Sequence, residues 1–258
     1  MIELAPAIAD IAREGGALAL ERFRTEVRRW EKKPGDFVSE IDLAVNALLR
    51  ERLTALLPEA GWLSEENADN AERLSARHVW VVDPIDGTRD YLRGRTGWAV
   101  SIALVSDGQP VVGVLDAPAR QEHWSAAAGQ GALRNGLPVV ASTCASLSGA
   151  RVPADALAKA DRDFTAVTKP NAIALRMAMV AAGEADLLAT LRWGNEWDIA
   201  AAVLIAREAG ATVSDALGQP LAFNTPRAQA FGVLATAPAI HLAAVARLAD
   251  RAMVAAKR

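Results

Sequence analysis

A chain of 258 residues, 52% hydrophobic and 23% charged, can bury a large core and lacks the composition of a disordered chain. Its 28 Lys and Arg mix with 31 Asp and Glu for a net charge of −3, which argues against the basic stripe of a nucleic-acid polymer binder. The lone cysteine, Cys144, excludes an intramolecular disulfide, and no Cys/His cluster stands at zinc spacing.

The N-terminus lacks the basic start and apolar run of a signal peptide, and no apolar stretch is long enough to span a bilayer. A cytoplasmic protein with no membrane partner is the expectation. Leu4, Ile8, Ile11, Leu18 and Phe23 recur at helical spacing, so residues 2–27 read as one amphipathic helix, broken by KKPGD. Ser39 with Asp42 three positions on marks a second helix start, whose apolar face runs to Pro58.

From Trp62 the pattern turns to short β-rich runs: WLSEE, HVWVVD, WAVSIALV, PVVGVLDA and EHWSAA. SDGQ (106–109) and GQGALRNG (129–136) supply turns. Beyond them, IALRMAMVAAG reads as a helix, ADLLATL as a strand, WDIAAAVLIAREAG as a helix, ATVSD as a strand and PAIHLAAVARLADRAMVAA as a closing helix. An α+β lobe over residues 1–140 followed by an α/β lobe over 141–258 is expected.

Three acidic clusters fall where elements begin or end. In WVVDPIDGTRDY (80–91) an apolar strand runs into Asp83, and Pro84 removes a backbone donor. Asp83 and Asp86 can therefore aim two carboxylates at one point, and the N–H groups around Gly87 can cradle a phosphate. The same segment can equally form an Asx-turn. Glu65-Glu66 follows a short strand and reads either as a ligand or as a solvated pair. Asp198 opens an apolar helix, as its N-cap or as a metal ligand. Hard oxygen donors in this combination suit Mg²⁺, which shares its coordination between carboxylates, water and phosphate.

WVVDPIDGT, with LSEE upstream and WDIAA downstream, resembles the inositol monophosphatase superfamily over nearly the whole chain, from KKPGDFVSEID to ATVSDALGQPL. That superfamily includes inositol monophosphatases, 3′(2′),5′-bisphosphate nucleotidases of the CysQ kind and, more distantly, fructose-1,6-bisphosphatases. The resemblance implies a layered αβαβα sandwich and a lithium-sensitive phosphomonoesterase using two or three Mg²⁺ ions. It implies metal binding by Glu65, Asp83, the Ile85 carbonyl, Asp86 and Asp198, and phosphate contact by Asp86, Gly87 and Thr88. Glu65, and Thr88 held against Asp42, would orient the attacking water, with no covalent enzyme intermediate.

The triplet Arg89-Asp90-Tyr91 is similar to the bisphosphate-nucleotidase branch, as is Arg176 where that branch often has lysine. The chain departs from the branch in having Lys-Pro-Asn-Ala at 169–172 in place of Gly-Ser-Ser, and in lacking Ser-Arg-Ser-His after the central strands. Arg89, Lys169 and Arg176 are candidate substrate contacts; the blander reading of the last two is solvated surface. Trp193 and Trp197 read as pocket walls or as core. The expected substrate is a small phosphorylated metabolite, either 3′-phosphoadenosine 5′-phosphate or inositol 1-phosphate. Histidinol or sugar phosphates are the alternatives, and monomer and homodimer both stay open. Of another class is a regulatory or binding protein that keeps the fold.

Overall fold

The apolar spacing of the first segment produces helix α1 (Ala5–Arg22) in the computed structural model, which describes residues 1–257. The helix is five residues shorter at its end than the expected 2–27, because Phe23 is extended (φ −65°, ψ 132°) and Arg24 takes a positive φ of 64°. Residues after it form a hairpin, β1 (Arg29–Lys33) and β2 (Asp36–Ser39), so KKPGD is a turn between strands rather than a plain break. Helix α2 (Glu40–Leu56) then starts at Ser39, as expected. The Ile41 N–H donates to Ser39 Oγ, and the Ser39 N–H donates back to Asp42 Oδ2 at 2.9 Å.

A seven-stranded sheet follows: β3 (Gly61–Ser64), β4 (His78–Asp86), β5 (Ala99–Ser106), β6 (Gln109–Ala117), β7 (Glu122–Ala127), β8 (Ala132–Arg134) and β9 (Leu137–Val139), adjacent in that order. Within this sheet, among the described residues, only the β3–β4 pairing is parallel. A five-residue helix, α3 (Thr88–Leu92), interrupts the path from β4 to β5. The chain continues through the parallel pair β10 (Arg151–Pro153) and β11 (Thr165–Val167) into α4 (Ile173–Ala181). A second, antiparallel sheet has the order β12 (Leu187–Asn195), β14 (Gln229–Thr236), β13 (Thr212–Ser214), with α5 (Ala200–Glu208) between β12 and β13 in sequence. Helix α6 (His241–Ala256) closes the fold.

The central strand β14 is absent from the sequence reading. Its run QAFGVLAT is broken by Gly232 at φ +67°, where a Cβ would meet the Thr190 carbonyl oxygen, so no unbroken alternation advertises it.

Burial arranges these elements in five layers. α1 and α2 cover one face of the large sheet, where Ile8, Val45, Leu49 and Leu53 meet Trp80, Val82, Ile102 and Val114. Its other face, through Val79, Val81, Val105 and Trp124, packs on α4 and α5. The small sheet lies beyond, and α6 covers its far side around Leu187, Leu234, Ile240 and Leu248. The result is the αβαβα sandwich expected of the fold class. The central layer draws on residues both before and after position 140, from Leu63 to Ala235. Both faces of β4 are covered, which is why HVWVVD reads as a continuous apolar run while its side chains still alternate between faces. Among the described residues no helix is long and apolar enough to cross a membrane.

Small residues set the spacing between the sheet and α5. A Cβ on Gly113 of β6 would stand 2.6 Å from the Ala201 carbonyl oxygen of α5. Backbone cannot yield as a side-chain tip does, so Gly113→Ala is expected to lower stability by about 1–3 kcal/mol, read as a shift in the urea midpoint.

Candidate functional site

Parallel pairing of β3 with β4 brings the first two acidic clusters together. Ser64 pairs with Val82, so Glu65 follows at the strand end beside Asp83, and its N–H donates to the Val82 carbonyl. The β4–β5 register then slips between Asp83 and Asp86, where Pro84 offers no N–H. The Ile85 N–H turns back to Asp83 Oδ1 at 3.0 Å. The slip aims both aspartates into a cleft of about 610 Å³.

The third cluster arrives from the other half of the chain. β12 ends at Asn195, and a tight turn carries Asp198 into the same cleft. Asp198 is not the N-cap of α5: that position falls to Ile199, with no side-chain cap, and the Ile199 and Ala200 N–H groups donate to the Glu196 carbonyl instead. Glu196 itself went unnoticed in the sequence. Its wholly buried carboxylate accepts from the Asn224 N–H (2.6 Å), the Thr225 N–H (2.9 Å) and the Thr225 hydroxyl (2.5 Å). It pins the turn to the loop before β14. No local pattern distinguishes it, because its partners lie about thirty residues on.

Glu65, Asp83, Ile85, Asp86, Gly87, Thr88, Arg89, Lys169, Arg176 and Asp198 all line the one cleft. Asp42 stands directly behind it, with the Thr88 hydroxyl 3.1 Å from Asp42 Oδ1 and 3.0 Å from the Ile85 carbonyl. Thus the residue that caps α2 also holds Thr88. Asp86 has a second attachment: it accepts from the Ile173 and Ala174 N–H groups, at 3.3 and 2.8 Å, at the start of α4. Gly87 joins these parts at φ +92°, where a Cβ would stand 2.6 Å from the Gly97 carbonyl oxygen and 2.9 Å from the Ala172 nitrogen.

Neither tryptophan lines the cleft. Trp197 packs against the central core, and Trp193 lies half exposed with its edge on Phe231. Lys169 is ion-paired with Asp155 at 2.6 Å. Arg176 is half-buried, donating to the Asn171 and Ala172 carbonyls, and Arg89 donates to the Gly35 carbonyl. Arg192 and Asn195, at the end of β12, also line the cleft and were missed, since a strand arginine carries no local mark of function.

Crowded like charge dominates the electrostatics. Burial, reinforced by Glu65, Asp86 and Asp198, raises Asp83 well above the ordinary range. Burial with Asp86 and Glu65 does the same to Asp198. Burial pushes Asp86 up to about 7, although the Ala174 N–H and Arg176 favour its charge. Burial raises Asp42 against the hydrogen bonds from Ser39 and Thr88. Lys32 of β1 reaches both Glu65 (3.0 Å) and Glu66 (2.9 Å). Burial opposes its charge, but the two glutamates more than offset this and hold its pKa above the ordinary range.

Among the described residues no three acidic, histidine or cysteine side chains form a ready-made ion cage. The donor chemistry nevertheless fits a hard divalent cation. Glu65, Asp83, the Ile85 carbonyl, Asp86 and Asp198 are all oxygen donors on one cleft, and burial and mutual repulsion oppose the ionised forms of Asp83 and Asp198, which a bound cation would favour.

Three outcomes are expected. Gly87→Ala meets both an unfavourable φ and two backbone atoms, and should lower stability by about 1–3 kcal/mol by chemical denaturation. Glu196→Ala strands two N–H groups and a hydroxyl and should cost about 3 kcal/mol in the same measurement. The third concerns pH. An acid whose pKa is raised on folding contributes stability that is complete below its unfolded value and is lost as pH rises through the folded one. For Asp86 that window runs from 3.8 to about 7. In chelator, the thermal midpoint should therefore fall across this window, and Asp83→Asn should flatten the fall by relieving the repulsion.

The inositol monophosphatase family model matches residues 2–253. The 3′(2′),5′-bisphosphate nucleotidase CysQ of Aggregatibacter actinomycetemcomitans is 30% identical, over 84% of this chain and 86% of its own length. Nus factor SuhB of Escherichia coli K12 is 31% identical, over 80% of this chain and 83% of its own. The Thermotoga maritima IMPase superposes with a TM-score of 0.83 at 27% identity, covering 99% of this chain and all of that one. With this fold, this cleft and a family match over nearly its full length, the chain belongs to the inositol monophosphatase family and is a phosphomonoesterase of that family.

Proposed function

We propose that the protein is a Mg²⁺-dependent phosphatase of small phosphorylated metabolites, with 3′-phosphoadenosine 5′-phosphate or inositol 1-phosphate as substrate. The observation that carries this reading is the meeting of carboxylates from three separate segments, at Glu65, Asp83 with Asp86, and Asp198, on one cleft beside a phosphate-sized turn. Glu65, Asp83, the Ile85 carbonyl, Asp86 and Asp198 would hold the ions. When bound, magnesium supplies Lewis acidity, lowers the pKa of water and neutralises charge on the phosphoryl oxygens.

The chain's own residues supply orientation. The Thr88 hydroxyl has one proton and two acceptors, Asp42 and the Ile85 carbonyl. With the proton given to Asp42, the hydroxyl's lone pairs accept from a water and fix its approach. Glu65 is the base that draws a proton from that water. Gly87 and Thr88 present backbone N–H groups to the phosphate, and Gly87 lets the backbone come close because it carries no side chain. Water attacks phosphorus, the P–O ester bond breaks, and the leaving oxygen takes a proton from solvent while Glu65 gives its own back to solvent.

Phosphate release should be compared for 3′-phosphoadenosine 5′-phosphate, inositol 1-phosphate, fructose 1,6-bisphosphate and histidinol phosphate, in Mg²⁺ and with added Li⁺. Chelation should abolish turnover. Asp83→Asn and Asp86→Asn should each lower kcat/KM by about a thousandfold while circular dichroism stays that of the parent. Near-parental turnover in either variant would remove the site.

A further inference from the structure

Arg73 is buried outside the cleft, on the short 3-10 turn Ala71–Ser75 between β3 and β4. A buried guanidinium needs acceptors, and two separate segments supply them. Nε and Nη2 donate in parallel to the Asp69 carboxylate, at 2.6 and 2.8 Å, on the loop that leaves Glu65-Glu66. Nη1 donates to Asn224 Oδ1 at 2.6 Å, and Nη2 also donates to the Thr225 carbonyl at 3.0 Å. The Asn224 side-chain amide returns a bond to the Arg73 carbonyl. The turn lies hard against β3, since a Cβ on Gly61 would stand 3.1 Å from Arg73 Cα.

Asn224 and Thr225 are also the residues whose N–H groups meet Glu196, so their loop lies between two buried charges of opposite sign. Its oxygens face the Arg73 guanidinium, and its N–H donors face the Glu196 carboxylate. Away from water, each set of bonds polarises the other and strengthens it. Burial opposes the ionised Glu196, while the bonds from Thr225 and Asn224 and the charge of Arg73 favour it. The Glu196 carbonyl in turn accepts from the Ile199 and Ala200 N–H groups, which directly follow Asp198. One chain of contacts therefore joins the crossover between the strands of Glu65 and Asp83 to the turn of Asp198.

From this chain we infer that Arg73 is a positioning residue. Acting through Asn224, Thr225 and Glu196, it fixes the Asp198 carboxylate in the cleft shared with Glu65 and Asp83. The inference rests on the reading of these acids as the ion-holding set, and adds the group that aligns the contributions from the two halves of the chain.

The probe is Mn²⁺ alone, its free concentration read by electron paramagnetic resonance. Arg73→Leu, which leaves Asp69 to solvent, should weaken Mn²⁺ binding about tenfold, the lower end of what outer-shell partners contribute. Asn224→Gly should do the same, and decides the matter where Arg73→Leu fails to fold. It accommodates the observed φ of 58° and keeps the N–H to Glu196, but removes both side-chain bonds to Arg73. Gly113→Ala, which strains the core elsewhere, should bind Mn²⁺ as the parent does. Parental affinity in Asn224→Gly, or an equal loss in Gly113→Ala, overturns the inference. If the parent itself binds no Mn²⁺, the ion-holding reading fails, and the link is judged by amide hydrogen exchange at Ile199 and Ala200. Exchange there about tenfold faster in Asn224→Gly, with α6 unchanged, sustains it. Parental rates, or equal acceleration in α6, end it.

Discussion

Mutual repulsion among buried carboxylates is the constraint around which this fold is arranged. Asp42, Asp83, Asp86 and Asp198 are each raised by burial, and Asp83 feels all three of the others. Left to themselves, such groups would turn away from one another into solvent. Main chain prevents this. The β3–β4 pairing fixes Glu65 against Asp83, the register slip at Pro84 fixes Asp83 against Asp86, and the turn held by Glu196 fixes Asp198 opposite them.

The same side chains that crowd the cleft also close the ends of helices. Asp42 completes the cap of α2 and Asp86 accepts from the first turn of α4. Asp90 accepts from the Asn171 N–H just before α4, and the Ala172 N–H donates to the Gly97 carbonyl. Helix N-termini favour negative charge, so each cap partly stabilises an ionised form that burial opposes. Two helices from opposite sides of the large sheet are thereby fastened to one turn, and a movement of either would be felt at Thr88 and Gly87.

Much of this was legible in the sequence because the chemistry sits where period changes. HVWVVD running into a proline, Ser39 with Asp42, and the apolar helix after Trp197-Asp198 each announce an element and its end. The resemblance to the inositol monophosphatase superfamily rested on those same boundaries and extended to the layered fold. What stayed hidden depends on partners distant in sequence. Glu196 looks like any acid beside a turn until Asn224 and Thr225 fold back on it, and Arg192 looks like any strand arginine until β12 delivers it to the cleft that Arg176 also lines. The strand β14 was lost to Gly232, whose close approach to β12 breaks the alternation that would reveal it.

The cleft has two halves built in different ways. Its acidic half comes from the C-terminal ends of β3 and β4 and from a turn pinned by a buried glutamate, with both faces of β4 covered. A change there disturbs the core that holds it. Its cationic half comes from the rim: Lys169 on an exposed loop, Arg192 on an exposed strand end, Arg89 tied to the turn of an edge hairpin. Substitution at the rim alters charge with little effect on packing, because exposed side chains carry few buried contacts. A fold built this way can keep the geometry that acts on a phosphate ester while the remainder of the substrate is selected at positions free to change. That asymmetry explains why the acidic motifs resemble the whole superfamily, whereas Arg89 and Arg176 on the cationic side resemble one branch of it.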